Sequence, residues 1–296
     1  MSRFLSFAWA VAARRSLLLS VSLCLGFSYP LLAAERKAKA RRLSAAAIVN
    51  KHVLARGGLE AWRGVQTLSL SGKMDAGTGD SVARSMRVGA GTKKRRREIA
   101  AAGPQEEPEK QVQLPFKLAR QRPNKSRLEI EFAGKTAVQV YDGTNGWKVR
   151  PYLNRNDVEP FTLQELKSAA ANADLDDPLI DYKAKGTKFE VDGIEKLAGR
   201  DAYKLKLTAR TGAVQRVWID AQSFLDIQVE GVPRRMDGKM HSVWIHQRDF
   251  RSVQGLKIPF IVETIVDGYP QAHQIVVDKV AVNPKLDAAT FAKPKA

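Results

Sequence analysis

Residues 203–208 read Tyr-Lys-Leu-Lys-Leu-Thr, a strict alternation of apolar and polar side chains. Successive side chains of a β-strand point to opposite faces of its sheet, so this period of two predicts a strand with one apolar face. Three further stretches alternate in the same way, with apolar residues at Leu68, Leu70 and Met74, at Leu128, Ile130 and Phe132, and at Leu225, Ile227 and Val229. Strands with one buried and one solvated face are typical of antiparallel sheets.

Turn signals predict hairpins between neighbouring strands. Residues 142–146 read Asp-Gly-Thr-Asn-Gly between two apolar runs, and Thr211-Gly212 and Gln254-Gly255 separate two further pairs. Gly and Asn adopt the tight turns that connect antiparallel strands. The sequence therefore predicts a mainly β (α+β) fold built on a long antiparallel meander.

A helix is predicted near the start of this region. Ser44 is a suitable N-cap for a helix over 45–56, and Gly57-Gly58 is a suitable end. The helical period places four apolar residues on or near one side of this helix: Ala47, Ile48, Leu54 and Ala55. A second short turn over 59–63 follows it.

Two more short helices interrupt the predicted sheet. Thr162 and Glu165 have the spacing of a capping box for a helix over 161–173, and Asp177-Pro178 would begin another that ends near Gly186. So few helices cannot fill a wide, curved sheet tightly, which predicts a residual apolar cavity. For each apolar residue taken singly, ordinary core packing is the alternative.

The first 34 residues have the features of a secretory signal peptide. Arg3, Arg14 and Arg15 accompany a largely apolar run over 16–32, and Ala33-Ala34 provides the small residues of a cleavage site. We expect a signal peptide over 1–34, cleaved near Ala34, a basic linker over 35–43 and a single domain over 44–296. An uncleaved membrane anchor is the alternative.

The chain is strongly basic, since it has 49 Lys and Arg residues against 31 Asp and Glu residues and a formal net charge of +18. Loss of residues 1–34 removes three arginines and no acidic residue, which leaves +15. This charge favours contact with an anionic membrane surface. Nucleic acid is not expected as a partner, because the chain carries an export signal.

Catalytic and metal-binding signatures are absent from the sequence. Cys24 is the only cysteine, the chain has four histidines, and no nucleophile elbow, zinc-protease, P-loop or dinucleotide-binding motif occurs. His241 and His246 are five residues apart, and on one strand this odd spacing would place them on opposite faces. The acidic residues Asp174, Asp176 and Asp177 lie where a helix is predicted to begin, which favours helix stabilisation over calcium binding. No catalytic residue, metal or cofactor is predicted.

Several stretches resemble the periplasmic outer-membrane lipoprotein-sorting proteins, the LolA-like superfamily. The resemblance covers most of 44–296, and its pieces follow one another in the order of that group. These pieces are Gly57 to Arg63 before Val65 to Gly72, Tyr141-Asp142-Gly143 with Trp147, Gly199 to Leu205, Val217 to Asp220 with Leu225, Asp249 to Arg251, Gly255 to Phe260, and Asn283-Pro284 to Phe291.

This resemblance implies an unclosed antiparallel β half-barrel with a few short helices as a lid, located in the periplasm. It implies a non-catalytic carrier whose hydrophobic cavity binds lipid or the acyl chains of lipoproteins for transfer to the outer membrane. Inner- and outer-membrane transport components are then possible partners. The candidate cavity residues are Leu68, Leu70, Leu128, Ile130, Phe132, Tyr203, Leu205, Leu207, Leu225, Ile227 and Trp244.

Two other functions stay open at this stage. An envelope sensor or scaffold could use the same fold to bind a protein partner, with the basic run Lys93–Arg97 as its contact surface. The favoured interpretation of that run is the solvated face of a strand edge, and a contact for a partner or for lipid headgroups is the alternative. An enzyme of unknown type is the least favoured hypothesis, since no catalytic site assembles from the sequence.

Overall fold

The computed structural model describes residues 43–75, 112–151, 155–269 and 271–295. The predicted signal peptide, the linker residues 35–42, the basic run Lys93–Arg97 and the Pro/Glu-rich stretch 103–110 lie outside the described residues.

The described residues are mainly β-strands, which pair to form a thirteen-stranded antiparallel sheet and a separate two-stranded hairpin. The strands are β1 (Thr67–Asp75), β2 (Gln113–Gln121), β3 (Lys125–Phe132), β4 (Lys135–Tyr141), β5 (Gly146–Arg150), β6 (Arg155–Pro160), β7 (Lys188–Leu197), β8 (Arg200–Thr208), β9 (Val214–Asp220), β10 (Asp226–Glu230), β11 (Arg234–Met236), β12 (Lys239–His241), β13 (Val243–Val253), β14 (Leu256–Val266) and β15 (His273–Val282). The order in the large sheet is β6-β5-β4-β3-β2-β1-β15-β14-β13-β10-β9-β8-β7, and β11 pairs with β12 in the hairpin.

This large sheet is not closed, because β6 and β7 form its two edges and do not pair with each other. Most neighbouring strands are also consecutive in sequence, as the predicted hairpins require, and the pairing of β1 with β15 joins the two halves of the meander. The predicted mainly β fold with an unclosed sheet and few helices is confirmed.

Gly72 marks an irregularity at this central junction. The register between β1 and β15 shifts between Ser71 and Gly72, and a Cβ atom on Gly72 would lie 2.0 Å from the carbonyl oxygen of Val276. Only glycine permits this approach without displacement of the backbone. The bulge therefore fixes how the two halves of the sheet meet.

Four short α-helices lie in the described part of the chain, together with a 3₁₀ helix at Ala288–Phe291. They are α1 (Ala45–Ala55), α2 (Leu59–Arg63), α3 (Leu163–Asn172) and α4 (Tyr182–Lys185). Ser44 caps α1 by accepting a hydrogen bond from the Ala47 amide, and Thr162 with Glu165 forms the predicted capping box of α3.

Two helix predictions need correction. Leu54 was placed on the apolar side of α1, but it is 73% exposed, and the buried side carries Ile48, Val49 and His52. The helix expected to begin at Asp177-Pro178 begins only at Tyr182, because Asp177 accepts backbone hydrogen bonds from Leu179 and Ile180 within a turn.

A hydrophobic cluster holds α2 and the residues after α3 against the centre of the sheet. It contains Trp62, Val65, Leu68, Leu175, Ile180, Leu256 and Ile258, all buried. The Trp62 indole N–H donates to the Arg56 carbonyl oxygen at 3.0 Å, which satisfies the polar atom of this large side chain. Packed side chains therefore fill the space between α2 and the central strands.

The predicted alternation is confirmed in β8 and wrong in β10. Tyr203, Leu205 and Leu207 are all at most 2% exposed. In β10 the most buried residues are Asp226 and Gln228, although the sequence pattern assigns them to the solvated face. The pairing of β10 with β9 shifts register between these two residues, and Asp226 turns inward to an ion pair with Arg56.

Among the described residues, no helix has the length and apolar character needed to cross a membrane.

Candidate functional site

A cavity of about 690 Å³ lies between the central strands of the sheet and helix α3. Its apolar wall comes mainly from β1, β2, β3, β14 and β15. The apolar lining residues include Leu68, Leu70, Met74, Phe116, Leu118, Leu128, Ile258, Val262, Ile275 and Val277.

A second cavity of about 410 Å³ adjoins the first. It is lined by Ile130 and Phe132 among others. The two cavities share four lining residues, namely Met74, Leu128, Gln139 and Ile275. Together they form one path along the same face of the sheet.

Cross-strand pairing arranges this face in rows. Leu70 pairs with Leu118, which pairs with Leu128, so an apolar row runs across β1, β2 and β3. Two residues further along the strands, on the same face, Arg120 of β2 lies between Leu68 on β1 and Ser126 on β3. The face therefore changes from apolar to polar along the direction of its strands.

Helix α3 covers the cavity without being packed into it. None of its residues is buried, and Leu163 is 80% exposed. Four of its side chains line the cavity in addition to Glu165: Gln164, Ser168, Ala169 and Asn172. A helix held by so few buried contacts is suited to move away from the sheet.

An ion pair ties α3 to the sheet. The Lys148 Nζ on β5 lies 2.5 Å and 2.6 Å from the two carboxylate oxygens of Glu165. Burial alone would raise the pKa of Glu165, but Lys148 and the Thr162 hydrogen bonds outweigh it and lower that pKa.

A buried charged cluster forms one end of the cavity. The Arg56 Nη1 donates to Asp226 Oδ1 at 2.5 Å and lies 3.7 Å from Asp177 Oδ2. Gln247 donates a further hydrogen bond to Asp226 at 3.0 Å. Arg56 and Asp226 are only 4% and 2% exposed, so this pair is enclosed by protein.

His52 belongs to the same cluster and faces oxygen atoms on both sides. Its Nδ1 lies 2.9 Å from the Phe224 carbonyl oxygen, and its Nε2 lies 3.4 Å from Asp177 Oδ2. Because both neighbours are acceptors, the doubly protonated ring fits this environment best. Burial by itself would lower the pKa of His52, but Asp177 and Asp226 outweigh it and raise the pKa above the ordinary histidine value.

The pKa of Asp177 is shifted in the opposite direction. Burial alone would raise its pKa, but His52, Arg56 and the backbone amide of Leu179 outweigh that effect and hold the pKa well below the usual range of a carboxyl. In this cluster two basic side chains, His52 and Arg56, face the carboxyl groups of Asp177 and Asp226.

The ligand atoms of His52, Asp177 and Asp226 lie within 4.8 Å of one another, a spacing that could hold a metal ion. Arg56 already supplies a positive charge to both carboxylates. A divalent cation there would face this guanidinium at close range, which is unfavourable. The donor set therefore fits an ion-pair cluster better than a metal site.

The neighbouring acidic residues are also paired. Asp176 receives a hydrogen bond from Arg122 at 2.6 Å and another from Lys185, and Asp174 lies 3.6 Å from Lys185. The sequence predicts that these acids stabilise the start of a helix. The structure shows instead that they pair with partly buried cations, of which Lys185 lies nearby in α4 and Arg122 comes from a distant segment. The pairing with Arg122 has no local sequence signal.

Five of the predicted cavity residues line the two cavities: Leu68, Leu70, Leu128, Ile130 and Phe132. The other six, namely Tyr203, Leu205, Leu207, Leu225, Ile227 and Trp244, line neither of them. Tyr203, Leu205 and Leu207 are buried in the other half of the sheet.

Trp244 lies on the side of β13 that faces away from the cavity. Gln247 lines the cavity, and the alternation along the strand places Trp244 on the opposite face. There its ring packs edge-to-face against Trp218 at 5.4 Å between centroids.

The two histidines weighed for a metal site do not share a strand. His241 ends β12, and His246 lies in β13. His241 Nδ1 is 2.9 Å from the Asp267 carbonyl oxygen, and His246 Nε2 is 2.9 Å from the Gln228 side-chain oxygen. Their separate partners indicate structural roles.

Arg120 is a charged cavity residue that is not among the residues predicted from the sequence. It lines the main cavity at its polar row, and its Nη1 donates to the Asp174 carbonyl oxygen at 2.9 Å. Its Nε is buried and has no hydrogen-bond partner among the described residues. Burial lowers the pKa of this guanidinium, with Asp174 opposing the effect. Its inward orientation could have been derived from the alternation of Phe116, Leu118 and Arg120.

Comparison with solved structures supports this architecture. A LolA superfamily protein from Nitrosomonas europaea superimposes with a TM-score of 0.50 at 12% identity, over 85% of this chain and 98% of that protein. A DUF1329 family protein from Desulfovibrio piger also gives a TM-score of 0.50 at 12% identity, over 84% and 97% of the two chains.

No protein-family model and no curated protein matches the sequence. At 12% identity, the structural similarity shows the fold. The chain has a LolA-like fold, as the sequence resemblance predicted, with an apolar cavity under a short helix.

Proposed function

We propose that this protein is a non-catalytic carrier that binds lipid, or the acyl chains of lipoproteins, in the cavity between its sheet and α3. The observation that carries this proposal is a largely apolar cavity of about 690 Å³ under a helix that has no buried residue, with a second cavity of about 410 Å³ adjoining it. A packed core would leave no such space.

The physical reason for such a carrier is the cost of exposing an acyl chain to water, about 0.8 kcal/mol for each CH₂ group. A lipid with several chains cannot cross an aqueous compartment unaided. The apolar rows of β1, β2 and β3 would replace water around the chains, and outward movement of α3 would allow release.

The proposed contacts are the predicted residues that line the cavities, Leu68, Leu70, Leu128, Ile130 and Phe132, together with Phe116 and Leu118. The proposed ligand path lies between β1, β2, β3 and α3. Tyr203, Leu205, Leu207, Leu225, Ile227 and Trp244 line neither cavity, and we do not include them among the proposed contacts.

The proposed location is the periplasm, after cleavage near Ala34, with 44–296 as one carrier domain. Transfer to the outer membrane would then involve inner- and outer-membrane transport components as partners. The net charge of +15 after cleavage supports contact with an anionic membrane surface during loading or release.

A binding assay tests the proposal. Purified protein is titrated with a fluorescent fatty-acyl probe, and protection of the bound probe from an aqueous quencher is measured. Leu70→Asp introduces a charge into the apolar row and should weaken probe binding by about tenfold or more. Leu54→Asp is the matched control, because Leu54 is 73% exposed and should leave binding unchanged.

Absence of probe binding and protection in the wild-type protein would overturn the proposed function. Equal losses in both variants would also contradict it, since the cavity would then not be the site that is probed.

A further inference from the structure

The charges that line the main cavity are balanced except at one position. The described lining has four carboxylates, and each has a basic partner within 4.0 Å: Glu165 with Lys148, Asp176 with Arg122, Asp177 with His52 and Arg56, and Asp226 with Arg56. None of these carboxylates needs a charge from a ligand.

The two arginines of the lining differ in this respect. Arg56 is paired with Asp226 at 2.5 Å. Arg120 has one hydrogen bond, to a carbonyl oxygen, and forms no ion pair with a carboxylate of the described residues. The nearby Asp174 carboxylate already faces Lys185 at 3.6 Å. Arg120 is therefore the one uncompensated charge in the described lining.

An uncompensated guanidinium beside an apolar cavity is costly, because it has lost part of its hydration without gaining a counter-ion. A bound anion would remove that cost, and a guanidinium can bind a carboxylate or phosphate through two parallel hydrogen bonds. The free Nε of Arg120 provides a donor for such a contact.

We propose that Arg120 binds the anionic headgroup of an acyl lipid whose chain lies along the apolar rows of the cavity. This inference rests on the proposed carrier function and specifies its ligand class as anionic acyl lipids.

The arrangement of the rows gives the ligand its direction. Ser126 lies next to Arg120 on β3 and lines the same cavity, so its hydroxyl is available to the same headgroup. From Arg120 the face continues through Leu118 and Phe116 to Leu114, which lines the second cavity. Six residues of strand span about 20 Å, so an extended chain can follow β2 from the headgroup into the second cavity.

The experiment compares two ligands that differ only at the headgroup. Oleate and oleyl alcohol are each used to displace a fluorescent acyl probe from purified wild-type, Arg120→Gln and Arg120→Lys proteins. We expect the wild-type protein to prefer oleate, and we expect Arg120→Gln to reduce the ratio of oleate to alcohol affinity by about tenfold or more. Arg120→Lys should restore part of the ratio.

Arg248→Gln is the matched control for the loss of one positive charge. Arg248 lies on the outer face of β13, where it pairs with Glu263 at 2.9 Å and has a side chain that is 52% exposed. This variant should keep the wild-type ratio. Inorganic phosphate alone should not displace the probe, because the headgroup is held together with its chain.

The outcomes separate the two claims. Failure of wild-type protein to bind either ligand would overturn the carrier function and the headgroup proposal with it. Binding of both ligands, with a ratio that Arg120→Gln leaves unchanged, would overturn the role of Arg120 alone. If Arg120 had a purely structural role, Arg120→Gln would lower the affinity for both ligands equally, and that result would overturn the headgroup proposal. Displacement of the probe by phosphate would overturn it as well.

Discussion

The Lys148 Nζ contacts both carboxylate oxygens of Glu165, at 2.5 Å and 2.6 Å, and this ion pair links strand β5 to helix α3. Glu165 also accepts a hydrogen bond from the Thr162 amide at 2.8 Å, which completes the cap of the helix. One side chain therefore both begins α3 and anchors it over the cavity.

Glu165→Gln should make α3 easier to displace. The Glu165 side chain is 40% exposed, so we expect a modest loss of about 0.5–1 kcal/mol in helix closure. A bound acyl probe should then dissociate about two- to fivefold faster, as measured by stopped-flow transfer to vesicles. Glu60→Gln, which removes an exposed pair with Arg63 on α2, is the control and should not change the rate. An unchanged rate in Glu165→Gln would show that α3 does not gate release.

Leu128→Trp should fill the cavity, because Leu128 lines both of its parts. We expect this variant to lose acyl-probe binding and to unfold within a few degrees of the wild-type temperature. Leu205→Trp is the comparison, since Leu205 is 0% exposed and its larger replacement should reduce stability by about 1–3 kcal/mol. Calorimetry and probe titration measure both effects. A large destabilisation by Leu128→Trp would mean that this region is packed.

The His52 and Asp177 pair predicts a dependence of stability on pH. The pKa of His52 is raised in the folded protein, so its contribution to stability is complete below the unfolded-state pKa of about 6.5 and is lost as pH rises through the folded value. The pKa of Asp177 is lowered, so its contribution is complete above about 3.9 and is lost as pH falls. From these two groups we expect the greatest stability between about pH 4 and 6.5.

Urea unfolding between pH 5 and 9 measures this dependence. His52→Gln removes the titrating ring and should flatten the decline in unfolding free energy above about pH 6.5. A decline as steep in the variant as in the wild type would assign the effect to other groups.

Arg56→Leu should be strongly destabilising. Asp226 would lose its partner at a position that is 2% exposed, and breaking a buried ion pair in this way costs about 3–5 kcal/mol. Arg56→Leu combined with Asp226→Leu should recover part of that loss, because no unpaired charge remains. A loss of unfolding free energy in the double variant that exceeds the sum of the losses in the two single variants would contradict this account of the cluster.

Replacement of Lys93–Arg97 by neutral residues separates the carrier from a scaffold. A carrier should keep its affinity for an acyl probe, since the proposed contacts lie in β1, β2 and β3. A scaffold that uses the basic run should lose its protein partner, which affinity capture from envelope extracts would measure. Loss of acyl-probe binding in this variant would contradict the proposed location of the site.

The sequence predicts the strands well wherever one face is apolar. The alternation in β8 and the turn at Thr211-Gly212 depend on local residues, and both are found as predicted. In β10 the same rule fails, because Asp226 is buried by an ion pair to Arg56, 170 residues away. Local periodicity carries no information about such a distant partner.

The cavity itself could be predicted only in part. The scarcity of helices indicates that the sheet is not fully covered, but alternation alone cannot show which half is filled. Leu70 and Leu205 have the same pattern in sequence, yet Leu70 lines a cavity and Leu205 lies in a packed core. The difference is a tertiary relationship, which the alternation along a single strand does not encode.

Native mass spectrometry with lipid extraction, on protein purified from its own envelope fraction, tests the central claim most directly. We predict a complex with lipid or an acylated peptide in stoichiometric amount, dominated by species that carry a negative headgroup. Repeated recovery of protein without any bound acyl chain, in preparations that also fail to bind an added probe, would contradict the account.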